Sequence, residues 1–436
     1  MKPTGLLIAV VVLAALAGAV IWSNKKQAAK AKEPSTTSAK IVSIPDDQIK
    51  EIRLKKASGD SVDLRRENGK WAIAEPKALP ADSDAMSSLT STLSSVTADT
   101  TVEDNATDLA SFGLANPSLD VQVTKKDGKT VDLLIGDDTP NNSGAYAKVA
   151  NDPHVYTVAS YIKSSLDKKP DDLRDKRLLP FESDKLTRVE FDAKGQAVEF
   201  GKNGQGDWEI LKPRPLRADG GQVDTLVGKL RDAKMDLSLA PDEAAKKFAA
   251  ATKVASASVT DNAGTQTLEV RKDKDNTYYA KGSGVEGIYK IASDVGDGLN
   301  KGLEDFRNKK LFDFGFSDPS KVVLQNATYT KSGDKWTSGA KNLDNSSVQD
   351  LIDKLRDLAA TKFAEKGGGQ PVFEAAVTSN NGKRVEKVTI TKLGEQYFAQ
   401  RENEPSIYEL DGKAVADLQK AASSVKEAAP APAKKK

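Results

Sequence analysis

Three stretches of this sequence follow one pattern: GKWAIAEPKALPADSDAMSSLTSTL from Gly69, GDWEILKPRPLRADGGQVDTLVGKL from Gly206 and GDKWTSGAKNLDNSSVQDLIDKL from Gly333. Each holds a tryptophan in a strand-like run, a short connection, an aspartate and a helix-like run. Counted from Asp82, Asp219 and Asp344, apolar residues fall at +4, +7 and +11 every time: Met86, Leu89 and Leu93; Val223, Leu226 and Leu230; Val348, Leu351 and Leu355. Those offsets lie on one stripe of a 3.6-residue helix. An aspartate ahead of the stripe is suited to N-cap it, accepting from first-turn N–H groups that have no partner inside the helix. Leu79, Leu216 and Leu343 stand where they can close the start of the helix against the same core. A repeat of this length is a domain, well beyond the 20–50 residue period of a solenoid.

The flanks repeat too. IKEIRL from Ile49, LTRVEF from Leu186 and KVVLQ from Lys321 read as strands ahead of the tryptophans. LDVQVTKKDGKTVDLLIG from Leu119, with a turn at Asp127-Gly128, reads as a hairpin after the first helix, and SASVTDNAGTQTLEVRK from Ser256 and EAAVTSNNGKRVEKVTITK from Glu374 correspond to it. Each unit closes on a tyrosine strand and a helix, at Tyr156, Tyr289 and Tyr408. The joints DLRDKRLLPFESDKLTRVEF and DFRNKKLFDFGFSDPSKVVL, from Asp172 and Asp305, are too apolar for free linkers. The expected fold is α+β, an N-terminal transmembrane helix followed by three related modules of antiparallel strands each packed on a helix. The expected segments are 1–24 anchor or signal, 25–44 tether, 45–184, 185–317 and 318–426 modules, and 427–436 an Ala/Pro/Lys tail.

Gly5 to Trp22 is an uncharged apolar run long enough to cross most of a ~30 Å hydrocarbon core, with Trp22 at its interfacial end. An uncleaved anchor is the leading expectation; Ala15-Leu16-Ala17 also supplies an A-x-A-like cleavage site for a signal peptide. Lys25, Lys26, Lys30 and Lys32 after the run favour a cytoplasmic body on a literal positive-inside count. A large polar domain behind an N-terminal apolar segment is the usual export layout, and long domains translocate largely regardless of charge. The expectation is a single-pass inner (cytoplasmic) membrane protein with its soluble body in the periplasm, in contact with the lipid bilayer through Gly5–Trp22.

Composition narrows the chemistry. The chain has 436 residues with no cysteine and one histidine, and its 65 basic residues nearly balance 63 acidic ones for a net charge of +2. Disulfides, thiolate catalysis and Cys- or His-cluster metal sites are excluded, and no net field favours nucleic acid. No catalytic residue, cofactor or metal ligand set is expected. Gly282 to Gly287 satisfies G-x-G-x-x-G, but strand-like runs on both sides make it a hairpin turn. Ser160 to Lys163, Ser332 to Lys335 and Ser423 to Lys426 satisfy S-x-x-K without the accompanying elements of that catalytic pattern. His154 has no counterpart in the sister units and no G-x-S-x-G elbow to serve. Asp137 and Asp138 read as a solvated turn rather than a cation site. Trp71, Trp208 and Trp336 fit a core position under the helix stripe better than a platform for sugars.

The chain resembles the bacterial family known as domain of unknown function 4340. The resemblance is carried by the anchor, by the tryptophan strand with Pro-x-x-x-x-Ala-Asp (Trp71 to Asp82, Trp208 to Asp219), by DLASFGLANPSLDV from Asp108, by IGDDTP from Ile135, and by DLRDKRLLPF from Asp172. The third unit departs from it, because neither Pro nor Ala-Asp follows Trp336. The family supplies no catalytic residues. The resemblance implies an envelope component, encoded beside or fused to auxiliary subunits of ABC-type transport systems of the gliding-motility kind. The expected function is therefore a non-enzymatic binding or scaffold protein with membrane-protein partners in such a complex and no nucleic acid. The alternative is an envelope hydrolase or glycan-binding protein with a site between modules.

Overall fold

A computed structural model describes residues 39–315 and 319–429. Gly5–Trp22, the tether up to residue 38 and the tail from residue 430 lie outside the described residues. No helix among the described residues is long and apolar enough to cross a membrane. The described residues form antiparallel sheets and helices, an α+β architecture. The chain divides into two compact units that meet at Lys176 and Arg177.

The first unit is built on one nine-stranded sheet. Ile49–Lys56 lies inside it, paired on one side with Ser61–Glu67 and on the other with Leu119–Lys125. From Ser61–Glu67 the sheet steps outward through the tryptophan strand Lys70–Glu75 to the two-residue strand Leu79–Pro80. The helix Ser83–Ser94 then returns over one face, and a second meander runs through Thr130–Asp138, Gly144–Val149 and Val155–Ala159 to the edge strand Thr100–Glu103. Cross-strand rows such as Leu64, Ile52 and Val123 are buried beneath the helix, while the alternate positions hold Arg53, Asp63 and Gln122 on the opposite face.

The second unit repeats that order twice. Its eight-stranded sheet runs Leu216–Arg217, Trp208–Lys212, Gln196–Lys202, Arg188–Ala193, Thr252–Asp261, Gly264–Lys272, Tyr278–Gly282 and Tyr289–Ile291, crossed by the helix Gly220–Arg231. Its nine-stranded sheet runs from Lys341–Asn342 through Lys335–Ser338, Ala327–Ser332 and Lys321–Leu324 to Gln370–Ser379 and on to the edge Lys362–Ala364, crossed by Asn345–Asp357. All nine stripe residues of the three helices are buried to 1% exposure or less. Each sheet has its own apolar core. The eight-stranded sheet differs at its far edge, where the helix Pro241–Ala250 packs Ala244 and Phe248 against Tyr279.

The aspartates cap as the pattern requires. Asp82 accepts from the N–H groups of Asp84 and Ala85, Asp219 from Gln222, and Asp344 from Ser347. Each capping residue also anchors the end of its own module: its N–H donates to Leu173, Phe306 and Lys426 O respectively, at 2.7, 2.8 and 2.9 Å. One residue earlier, Ala81 bridges Arg174, Ala218 bridges Arg307 and Leu343 bridges Glu427. Asp219→Ala should lower stability by about 1 kcal/mol, read from guanidinium melts; a loss under a few tenths would mean the main chain alone holds the helix start.

These pins move the expected boundaries, including the one at 317, since Leu311, Phe312 and Phe314 pack into the core of the last sheet. The tether assigned to 25–44 ends inside the first module, because Lys40–Val42 pairs with Val96–Thr97 and Val42 and Ile44 are 3% exposed. Its path is that of a joint: Ala98 N–H donates to Ala39 O as Ala360 N–H donates to Lys309 O. Leu178, Leu179 and Phe181 pack into the core of the eight-stranded sheet rather than ending the module before it. The tail assigned from residue 427 begins with Glu427 and Ala428 still bonded to the short strand.

Candidate functional site

A large charged cleft lies within the second unit, between its two sheets. It measures about 690 Å³ and takes Trp208, Arg217 and Asp224 from one side and Asp313, Arg384, Glu386 and Arg401 from the other. The joint that brings these together is short. Arg307 is bridged to Ala218 and Lys310 to Ala359, which leaves Asn308 and Lys309 between the two attachments.

Arg217, on the two-residue strand, reaches across the joint. Its Nη1 donates to Lys310 O at 2.8 Å and to the Tyr408 hydroxyl at 3.1 Å, and its Nη2 donates to Asp313 Oδ2. Asn308 Nδ2 donates to the other Asp313 oxygen at 3.0 Å. Glu386, 5% exposed, accepts the Asp313 N–H and the Arg401 guanidinium. Arg401 Nε pairs with Glu404 Oε2 at 2.9 Å, and Arg401 Nη1 donates to Leu311 O. Arg384 Nη1 donates to Asp313 O at 2.8 Å. A further arginine, Arg307, lies with its guanidinium carbon 3.4 Å from the Phe363 ring centre and donates to Ser406 Oγ at 3.0 Å. Burial alone would pull the Arg217 pKa down; Asp313, with Tyr408 and Glu404, outweighs it and holds the pKa above its ordinary value.

The chemistry this favours is clamping. Carboxylates and arginines bonded to one another in this way have few acceptors and donors left for a ligand. Burial pushes the Tyr408 phenol up to about 12, with Glu404 adding to the shift and Arg217 opposing it. A phenol raised in the folded state lends stability that is whole below pH ~10 and is lost as pH climbs towards 12. Tyr408→Phe should therefore flatten the alkaline limb of a stability–pH profile by about 2 kcal/mol, leaving the limb due to Tyr156, also raised to about 12. An unchanged limb would mean the hydroxyl is solvated.

The repeat positions serve structure. Trp336 is 4% exposed and Trp208 8%; Trp71 is half-buried against its core. Trp208 Nε1 donates to Asp224 at 2.8 Å, and Lys202 lies 4.9 Å over its ring. The tyrosine hydroxyls each return to the turn before them: Tyr156 to Asp152, Tyr289 to Glu286 O, Tyr408 to Glu404. Only Trp208 and Tyr408 reach the cleft network; the other repeat positions lie apart from it. His154 Nδ1 sits 2.5 Å from Asp152, its Nε2 is 4.0 Å from Asp104, and its ring stacks near Tyr156. Lys163 of the first S-x-x-K donates to Asp138 at 2.7 Å, which occupies both the amine and that carboxylate. Ser332 and Lys335 face each other across a hairpin, and Ser423 Oγ donates to Lys420 O. Gly282 ends the strand Tyr278–Gly282 and Gly284 lies in the turn after it, where a Cβ would come 2.4 Å from Leu178 O and 2.7 Å from Pro180 respectively.

Sequence patterns missed Arg217, Asp313, Arg401 and Glu404. The available signal was a contrast between joints: the repeat sets Pro80 and Pro180 where Arg217 and Asp313 stand. A further cavity of about 440 Å³ lies on the outer face of the eight-stranded sheet, over Glu190, Asp192, Ser256 and Ser258. Its buried Glu199 is taken up by Arg188 and Lys212, both at 2.8 Å.

No curated protein matches the chain, and no solved structure does. The profile of the family described as Domain of unknown function (DUF4340) matches residues 71–213 and again 208–372. Both matches open on a tryptophan strand, at Trp71 and Trp208, and run through the next module's first strands, so the family unit straddles a joint. The chain belongs to the DUF4340 family.

Proposed function

We propose that this chain is a non-enzymatic binding or scaffold protein of the bacterial envelope, held at the inner membrane through Gly5–Trp22 with its modules outside the cytoplasm, in an ABC-type transport complex. The observation that carries the reading is the use of charge in the main cleft: Arg217, Arg401, Asp313, Glu386 and Glu404 bond to one another and to main-chain groups across the joint. What the three modules share is an apolar stripe, a capping aspartate and a pinned end. A glycan site would need an open tryptophan face, and Trp208 is buried with Lys202 over its ring.

Isolation of the protein from solubilised native membranes tests this. A stable complex with membrane-transport subunits is expected. Recovery as a lone protein that turns over a cell-wall substrate would overturn the reading in favour of an envelope hydrolase. Protease added to spheroplasts should shave Gln48–Lys436 from intact inner membrane; full protection would place the body in the cytoplasm.

A further inference from the structure

The third module shows what its outer edge is built to receive. Its edge strand Lys362–Ala364 pairs with Ile407–Leu410 in the register Phe363 to Tyr408. Two arginines from the preceding module are seated beside it, Arg307 over Phe363 and against Ser406, and Arg217 against Tyr408. Register places first-module residues at the same positions. Tyr156 pairs with Thr101 and Ala147 as Tyr408 pairs with Phe363 and Ala399. His154 therefore stands where Ser406 does, and Asp152 where Glu404 does. Both acids accept from their tyrosine hydroxyl, at 2.8 and 3.1 Å.

We propose that this edge of the first module, the strand Thr100–Glu103 with Asp104, Asp152, His154 and Tyr156, docks a partner protein that presents arginine or lysine side chains. The proposal rests on the scaffold reading and gives it a surface. All four residues of the strand are exposed, and nothing among the described residues pairs with its outer side. Val102 is 40% exposed and the Asp104 side chain 91%. Asp152 is taken up by His154 and Tyr156, and the Lys148 amine donates to its carbonyl; Asp104, 4.0 Å from the His154 ring, keeps its carboxylate open to a guanidinium or ammonium. The third module seats its arginines against a ring, hydroxyls and the carboxylates of Asp313 and Glu404; the first offers carboxylates at the same edge. A second copy of the chain does not supply the match end to end. In its third module the positions of Arg217 and Arg307 are taken by Asn342 and Glu427, the latter paired with Lys341, so neither arginine is repeated there.

The test uses the full chain in native membranes, with the photoreactive residue p-benzoylphenylalanine placed at Val102 and, as a control, at Leu393, 54% exposed in the third module. The Val102 probe should give an adduct whose partner peptide, read by mass spectrometry, carries arginine or lysine. Combining it with Glu103→Lys and Asp104→Lys should cut the adduct about tenfold without changing the melting profile, since both side chains point to solvent. The proposal falls if no adduct forms, if the adduct is to lipid or to the chain itself, if charge reversal leaves it intact, or if Leu393 gives the same product. Recovery of a transport complex by membrane isolation alongside any of those results leaves the scaffold reading standing, so the two failures are told apart.

Discussion

Arg217→Met is expected to remove about 3 kcal/mol from the unfolding free energy of the second unit. Losing one partner of a mostly buried charge network costs roughly 3–5 kcal/mol, because the remaining charges keep their desolvation and lose its compensation. The lower end applies, since the Arg217 and Asp313 side chains are 20% and 28% exposed. Asp313 would keep Asn308 on one oxygen and Arg401 at 4.0 Å, while the Tyr408 hydroxyl would keep only Glu404. Lysine should not substitute. A compact ammonium cannot span Lys310 O, Tyr408 and Asp313 as one planar fork does, so Arg217→Lys should recover less than half of the loss. Guanidinium unfolding of the full chain gives the free energy. Hydrogen exchange by mass spectrometry gives the place: protection should drop first at Asn308–Asp313 and Glu404–Tyr408. A variant within about half a kcal/mol of wild type, with exchange unchanged, would mean the cleft is wet enough to screen the network.

The sequence was most readable where the physics is local. Stripe spacing, capping aspartates and turn signals act within a few residues, and Met86, Leu226 and Leu355 are all buried as the period requires. The third module, which lacks the proline motif, still forms the short strand Lys341–Asn342, because main-chain pairing with Lys335–Ser338 needs no particular side chain. The cleft was unreadable for the opposite reason. Arg217 and Asp313 are 96 residues apart, and nothing in the local pattern around either residue announces that a two-residue joint brings them together. A net charge of +2 says nothing of where the charges sit: carboxylates gather at one edge, and arginines and acids mix in one cleft. Lys40–Ile44 looked like tether because lysine, alanine and serine surround it, yet Val42 and Ile44 sit in the place a joint occupies in the other modules. The helix Pro241–Ala250 has a narrow apolar face that gains meaning only beside Tyr279.

Gly136→Ala is expected to cost about 3 kcal/mol, at the upper end of ordinary overpacking, because backbone stands in the way of the added methyl. A Cβ at Gly136 would lie 2.1 Å from Phe112 O and 3.1 Å from Gly113 C. From the other side, Gly113 adopts φ +66, and its own Cβ would lie 2.8 Å from Asp137 N. The two segments therefore touch main chain to main chain. Pushing them apart also disturbs Leu114, 2% exposed, and the edge-on contact of Phe112 with Tyr146 at 5.0 Å between ring centres. Gly128→Ala separates this from generic glycine loss. It has φ +82 but open space around it, so only left-handed strain of about 1 kcal/mol applies. If thermal melts rank the two variants equally, the close approach is not what these glycines serve. If Gly136→Ala is the worse and exchange rises at Leu109–Ala115, then the two phrases DLASFGLANPSLDV and IGDDTP are two sides of one contact. That contact is packing rather than chemistry, as the scaffold reading requires of a feature by which the chain resembles its family.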